Sequence, residues 1–381
     1  MLARALLARG HEVTWWTSSV HHFSKQQLVS GDEIRAISPG FELQFIHGRL
    51  YRRNISLARA LNHVDLARGF ERLAQQRARP DLIFTTFPPI ELCRAAVQFA
   101  RRHGLPSVVD VNDLWPDEMW ARVPRFARPL ARLLLRPLSR QVAAAMTDAT
   151  AICAISRTYL EWARRKGARA DSTADSIFPL GYPDDPDVSV PPAADGVKRF
   201  LFVGTFVRSI DLETVIEAAR RLVGRADIRV IIVGAGENDA ALRRHAADLP
   251  NVEFKGWATQ QQIREHAHVA YAGLAAYAAG ALMSLPNKIY EYMRFGLPIL
   301  CALEGEAREL IENAGAGIGY RPGDGGDLAR VMLQLADDPA RRNHMAAAAR
   351  ENFCARFAES AVYPPLVSWL ERLVPASARN A

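Results

Sequence analysis

The sequence predicts an α/β protein made of two doubly wound parallel-sheet domains, and three observations carry that prediction. The chain has 381 residues, more than one ordinary core accommodates, so two domains of about 150–200 residues are expected. Short apolar runs rich in Val, Ile and Phe alternate with amphipathic stretches of helical length, which is the arithmetic of βαβ units. Glycines follow directly on apolar runs, as at Gly204 and Gly234, where parallel strands end and the backbone has to approach a ligand or a neighbour closely.

Composition narrows the class. With 49% hydrophobic and 23% charged residues the chain has an ordinary globular composition. The net charge of +7 comes almost wholly from arginine, since only Lys25, Lys166, Lys198, Lys255 and Lys288 are lysines. That surplus favours anionic partners. No helix-turn-helix, zinc-finger or RNP pattern supports nucleic acid. Cys93, Cys153, Cys301 and Cys354 are scattered, so free thiols in a reducing cytoplasm are expected rather than disulfides or zinc ligands. No apolar run reaches the roughly 18 residues of a membrane span, and Met1–Arg4 has no signal-peptide layout.

In chain order, Met1 to Gly10 reads as the latter part of an amphipathic helix that Gly10 stops, followed by a strand over His11–Thr17. Strands follow at Phe41–Ile46, Asp81–Thr86, Ser107–Val111 and Ala149–Ser156, with a helix from Pro88-Pro89 through Arg102. Asn112 and Asp113 stand at the carboxyl end of one of these strands, where such sheets bind ligands. Asp113 either serves a ligand there or simply caps the next turn. Arg125, Arg128, Arg132, Arg136 and Arg140 recur at three- and four-residue spacing among Leu130, Leu133, Leu134, Leu135 and Leu138. Such a segment suits an anionic bilayer surface, and it equally suits a core helix with a solvated arginine face, kinked at Pro129 and Pro137. Residues 186–197 lack periodicity and read as the linker between domains at 1–185 and 198–352, with a last helix over 353–381 returning to the first domain.

The second domain opens with a strand at Phe200–Gly204 and a helix from Leu212, for which Asp211 is placed as N-cap. Strands follow at Ile228–Val233, Asn251–Trp257, Ala270–Leu274 and Ile299–Ala302. Between the last two lies Ser284-Leu285-Pro286-Asn287-Lys288-Ile289-Tyr290-Glu291-Tyr292-Met293, a short helix with Ser284 as candidate N-cap, Pro286 in the first turn and Gly296 as stop. Leu285, Ile289 and Met293 share the core face, and Ser284, Asn287, Lys288 and Glu291 share a polar one. Free amides around Leu285, Asn287 and Lys288, the helix dipole and the lysine charge make a seat for a diphosphate. Glu291 leans back over that turn, where its carboxylate can accept from the hydroxyls of a ribose. The competing reading is a capped surface helix with a Lys288–Glu291 pair.

These segments resemble the family 4 glycosyltransferases, retaining enzymes of the GT-B fold, in which two Rossmann-like domains face a cleft. Pro286-x-Lys288-x-x-Glu291-Tyr292-Met293 and Asp113-Leu114-Trp115-Pro116 are most similar to a subgroup that transfers N-acetylfucosamine-type sugars in bacterial surface-polysaccharide synthesis. Arg9-Gly10-His11-Glu12-Val13 resembles the family's junction between first helix and second strand. It implies that a first strand and glycine-rich loop, on the order of 20 residues, belong ahead of Met1, and that a sheet without them has an unpaired edge in its middle. The resemblance assigns Asn112 to the position of a donor-contacting histidine. It places Gly204, Thr205, Arg208, Gly234 and Trp257 around the donor. It implies retention by front-face attack and, for the basic segment, docking on polyprenyl-linked acceptors at the inner face of the plasma membrane.

Three positions depart from the family pattern: Met283 replaces the first of two paired glutamates, Thr205 an arginine, and Asp211 a glycine. The expected function is transfer of a hexose or N-acetylhexosamine from a UDP-type sugar to a lipid-linked or polysaccharide hydroxyl. Arg208, Lys288 and the helix amides offset the charge of the leaving diphosphate, so no metal or other cofactor is required. The alternative is a non-catalytic nucleotide-binding scaffold.

Overall fold

A computed structural model describes residues 1–121, 123–170, 172–184, 195–281 and 283–375. The chain divides into two compact units, Met1–Pro179 with Val362–Ala381, and Leu180–Ala361. Of the expected linker, 186–194 lies outside the described residues.

The second unit is a single parallel sheet of six strands in the order Val252–Gly256, Ile228–Val233, Lys198–Val203, Ala272–Ala275, Ile299–Cys301, Gly317–Gly319. Its first strand in sequence is central, so both faces of that strand must be covered. Alternation does this: Phe200 and Phe202 enter one core with the helices Leu212–Arg221 and Gly325–Asp337. Leu201 and Val203 enter the other, with Asn287–Arg294 and Glu306–Asn313. The helix Leu212–Arg221 is started by the Asp211 carboxylate, which accepts from the Thr214 amide at 3.0 Å. The expected cap is therefore in place.

The first unit is split. Val13–Ser18 pairs in parallel with Phe41–Ile46, from Val13 opposite Phe41 to Ser18 opposite Ile46, and among the described residues with no other strand. Ile83–Phe87, Ser107–Val111, Ala151–Ala154 and Ser176–Ile177 form a second parallel sheet, in which Ile83–Phe87 is again an edge. Both sheets lie against the same helices. Leu66 and Phe70 of Leu57–Ala74 and Phe99 of Ile90–Arg102 share a core with Ile46 of one sheet and Ile83 of the other. Val13–Ser18 and Ile83–Phe87 are thus edges of two separate sheets.

Four local expectations need correction. Glu33–Ser38 is an additional edge strand, antiparallel to Phe41–Ile46. Its residues are mostly exposed, so no apolar alternation marked it, although Pro39-Gly40 is a hairpin signal. The basic segment is a 3₁₀ turn over Arg125–Ala127 and two helices, Arg128–Leu134 and Arg136–Asp148. Pro129 and Pro137 begin these helices instead of kinking one. Leu130, Leu133 and Leu134 are 59%, 61% and 70% exposed, which excludes the core-helix reading for Arg128–Leu134. Finally, residue 353 does not begin the last helix: Pro339–Arg356 runs through it, and Glu359–Leu373 follows after a break at Phe357 and Ala358, where Ala358 bridges to Tyr182. Among the described residues no helix is long and apolar enough to cross a membrane.

Candidate functional site

The carboxyl ends of the adjacent strands Lys198–Val203, Ile228–Val233 and the edge strand Val252–Gly256 come together in a stack of glycines. The Gly204 amide donates to Val233 O at 2.9 Å, and the Gly234 amide donates to Gly256 O at 2.7 Å. A Cβ on Gly234 would overlap the Gly204 carbonyl, and a Cβ on Gly204 would overlap Lys288 Nζ. Both glycines have positive φ, +133° and +153°, so the backbone itself favours glycine here. Thr205 and Trp257, the next residues outward, are exposed; Trp257, 74% accessible, projects into solvent rather than packing.

The helix Asn287–Arg294 starts beside this stack. Pro286, in extended backbone at φ −75° and ψ 153°, is its N-cap residue, and no side chain caps the end. The expectation that Ser284 caps the helix and Pro286 lies in its first turn is corrected: Ser284 is buried two residues earlier, because the chain stays extended through the proline. With no capping side chain, the amides of Asn287 and Lys288 retain the positive end of the dipole uncompensated. Leu285, Ile289 and Met293 are buried as their spacing predicts.

Lys288 does not pair with Glu291. Its ammonium donates to the Val203 carbonyl and lies 4.8 Å from the centre of the Phe202 ring. Burial pulls its pKa down to about 8, an effect that Glu291 only partly offsets. The Glu291 carboxylate makes no hydrogen bond or ion pair among the described residues, and burial raises its pKa against the pull of Lys288 and Arg294. A half-buried acid and a half-buried base on one helix face, with neither neutralised by a side chain, are a costly arrangement that a ligand would relieve. Arg208, on the loop after Lys198–Val203, is exposed and likewise without a hydrogen-bond or ion-pair partner among the described residues.

Sequence reasoning missed Tyr292 and Phe202. Tyr292 is buried, its hydroxyl accepting from the Val203 amide at 3.1 Å and donating to Leu274 O at 3.3 Å, with its ring packed against Gly273. It ties the helix to the central strand whose carbonyl holds Lys288. Aromatic residues next to Lys288 and Glu291 were the available signal, but a pattern of faces cannot say which strand a tyrosine reaches.

In the first unit Asn112 follows the strand Ser107–Val111. Its amide N–H donates to Phe87 O at 3.0 Å, and its side-chain Nδ2 donates to Asp110 Oδ2 at 2.8 Å. Asp113 stands beside it, half-buried. Burial raises the Asp110 carboxyl pKa, with hydrogen bonds from Asn112 and Cys153 working the other way. Asn112 and Asp113 thus belong to one unit, and the residues around Lys288 to the other.

Residues 1–174 match the family described as a glycosyl transferase 4-like domain, and residues 197–338 match glycosyl transferases group 1. Each unit therefore carries a match to a glycosyltransferase family. The chain is similar to a protein of Corynebacterium glutamicum, the GDP-mannose-dependent monoacylated alpha-(1-6)-phosphatidylinositol monomannoside mannosyltransferase. The two are 30% identical over 134 residues, which is 34% of this chain and 35% of that protein. The match therefore spans about a third of that relative's length. The fold is that of sucrose-phosphate synthase from Thermosynechococcus elongatus, with TM-score 0.73 and 17% identity over 98% of this chain and 91% of the other. It is also that of Anabaena HepE in complex with UDP, with TM-score 0.64 and 15% identity over 87% and 86%. These likenesses establish the GT-B architecture of two Rossmann-like α/β domains.

Proposed function

We propose that this chain transfers a hexose or N-acetylhexosamine, with retention, from a UDP-type nucleotide sugar to a hydroxyl of a lipid-linked or polysaccharide acceptor of the bacterial envelope. The observation that carries the donor reading is the pairing of an unpartnered carboxylate with an ammonium and an uncapped helix end. Glu291 stands ready for a ribose, while Lys288 and the Asn287 and Lys288 amides stand ready for a diphosphate. Arg208 adds a second free cation on the loop from the central strand. The UDP bound by the structural neighbour HepE supports a nucleoside diphosphate as ligand. The name of the Corynebacterium relative supports a glycolipid acceptor.

In this reaction the bond between the anomeric carbon and the diphosphate oxygen breaks, and the acceptor oxygen bonds to the same face of the sugar. The acceptor proton passes to the departing phosphate oxygen. Charge accumulates on the diphosphate as it leaves, so Arg208, Lys288 and the helix amides lower the barrier by acting where that charge grows. These groups take the part that a metal ion plays elsewhere, and no cofactor is invoked. Thr205, Gly234 and Trp257 border the nucleotide, with Trp257 free to stack on the base. Asn112 and Asp113 are the first unit's polar groups for the acceptor.

The exposed Phe126, Leu130, Leu133 and Leu134, set among Arg125, Arg128, Arg132 and Arg136, form the peripheral contact with an anionic membrane. Calorimetry with UDP tests the donor site: the full chain binds it, and Glu291→Ala and Lys288→Met weaken it. A full chain that is folded but shows no UDP affinity refutes the assignment. Binding without transfer to any lipid-linked acceptor makes the chain a scaffold. Sedimentation with anionic vesicles, comparing Leu133→Asp with wild type, tests the membrane contact.

A further inference from the structure

A second group of cations gathers in the first unit and includes none of the residues assigned above. The hairpin Val20–His21 and Gln26–Gln27 follows the strand Val13–Ser18 and carries Lys25 at its tip in a left-handed conformation, φ +56°. Lys25 Nζ donates to His22 O and to Asn54 Oδ1, and lies 5.0 Å from the centre of the Tyr51 ring. His22 Nδ1 is 2.8 Å from the Tyr51 hydroxyl. Arg59, on the helix Leu57–Ala74, spreads its guanidinium 5.9 Å from the Tyr51 ring and 5.1 Å from the Trp115 ring. One turn on, His63 is 3.6 Å from Glu91 and faces Trp115 at 6.2 Å.

Two features separate this cluster from an ordinary solvated surface. First, among the described residues no carboxylate is hydrogen bonded or ion paired to Lys25, Arg59 or His22, and Arg59 Nε is buried without a partner. After burial, the charges of Lys25, Arg59, His63 and His21 together push the His22 pKa down. Second, Lys25, Tyr51 and Trp115 lie on segments that follow three different parallel strands. The carboxyl ends of such strands are where α/β sheets take ligands. Like charges packed against aromatic walls repel one another until an anion enters, and a residue held at positive φ carries strain that a binding role explains.

We propose that Lys25, His22 and Arg59, walled by Tyr51 and Trp115, bind a phosphate-class anion, namely the phosphate or diphosphate group of the acceptor. The assignment to the acceptor rests on the transferase reading given above; the anion seat itself does not. Its ligand is a phosphate ester that comes either from a lipid head group or from a soluble molecule.

The test is calorimetric titration of the full chain with inorganic pyrophosphate while saturating UDP occupies the second unit. Wild type takes up pyrophosphate, and Arg59→Gln and Lys25→Gln each weaken that binding at least tenfold, leaving UDP affinity unchanged. Arg59→Lys restores part of it. Because Lys25 is on a hairpin outside the core, its variant reports even if Arg59→Gln misfolds. A parallel flotation assay with phosphatidylcholine vesicles containing phosphatidic acid assigns the source: capture that Arg59→Gln abolishes points to a lipid head group, and pyrophosphate binding without capture points to a soluble acceptor. Pyrophosphate affinity equal in wild type and both Gln variants, or absent at millimolar concentration, overturns the proposal. Loss of UDP binding alone would instead overturn the donor site and leave this one standing.

Discussion

Lys288→Met measures what a half-buried ammonium contributes to holding a diphosphate. In the free protein Lys288 is already desolvated, with its pKa pulled down to about 8, so much of the cost of removing it from water falls on folding rather than on binding. A unit charge 4 Å away at an effective dielectric of about 20 is worth roughly 4 kcal/mol, and solvent access at the rim reduces this to about 2–4. Removing the charge should weaken UDP binding about 30- to 1,000-fold. The same lysine sets a pH dependence. Between pH 7 and 8 it is mostly charged and wild-type affinity is nearly flat; above about 8 the free protein must take up a proton to bind, and affinity falls about tenfold per pH unit. Lys288→Met should be flat throughout. Calorimetry from pH 7 to 9, in two buffers of different ionisation enthalpy to count protons, reads both effects. Stability moves the opposite way. The folded pKa lies below the unfolded value of 10.5, so the cost of burying the charge is fully present below pH 8 and gone above 10.5. The methionine variant should therefore gain at most about 3 kcal/mol near neutrality. Equal pH slopes in the two proteins, or a wild-type slope of zero up to pH 9, would refute the reasoning.

Glu291→Gln should weaken UDP while leaving inorganic pyrophosphate at the helix end unaffected, since only the nucleotide carries a ribose. It should also raise the melting temperature at pH 7: the folded carboxyl has a raised pKa, so the cost of ionising it grows as pH rises through its unfolded and then its folded value, and the advantage of the variant vanishes in acid. Tyr292→Phe leaves the Val203 amide without its acceptor, and urea unfolding should show a loss of about 1–3 kcal/mol. Asp211→Ala removes the carboxylate that receives the Thr214 amide, a loss of about 1 kcal/mol in the same assay; an unchanged midpoint would deny that the cap operates.

Much of the fold was legible because parallel strands covered on both faces are apolar throughout. Ile228–Val233, apolar except for Arg229, is such a run and is a strand over those residues, and Phe41–Ile46 is a strand as well although Glu42 and Gln44 interrupt it. Glu33–Ser38 escaped because an exposed edge strand has no apolar face to reveal. Within the candidate site, the spacing of Leu285, Ile289 and Met293 fixed which side of the helix is core and so which side offers Lys288 and Glu291. Ser284 was misjudged because capping depends on the backbone angle at Pro286, not on the identity of the serine.

By itself the sequence determined the alternation of strands and helices, the glycines at strand ends and the residue types of the diphosphate seat, since each follows from local periodicity or conformational preference. Only the tertiary structure decided that Lys288 rests on Val203, that Glu291 has no partner, and that Tyr292 ties the helix to the central strand. It alone brought Lys25 and His22 of the hairpin together with Arg59 of the helix Leu57–Ala74. The reason is physical: partners far apart in the chain meet only through strand order and packing, and burial, which sets the charge of an ionisable group, is a property of that packing and not of the residue.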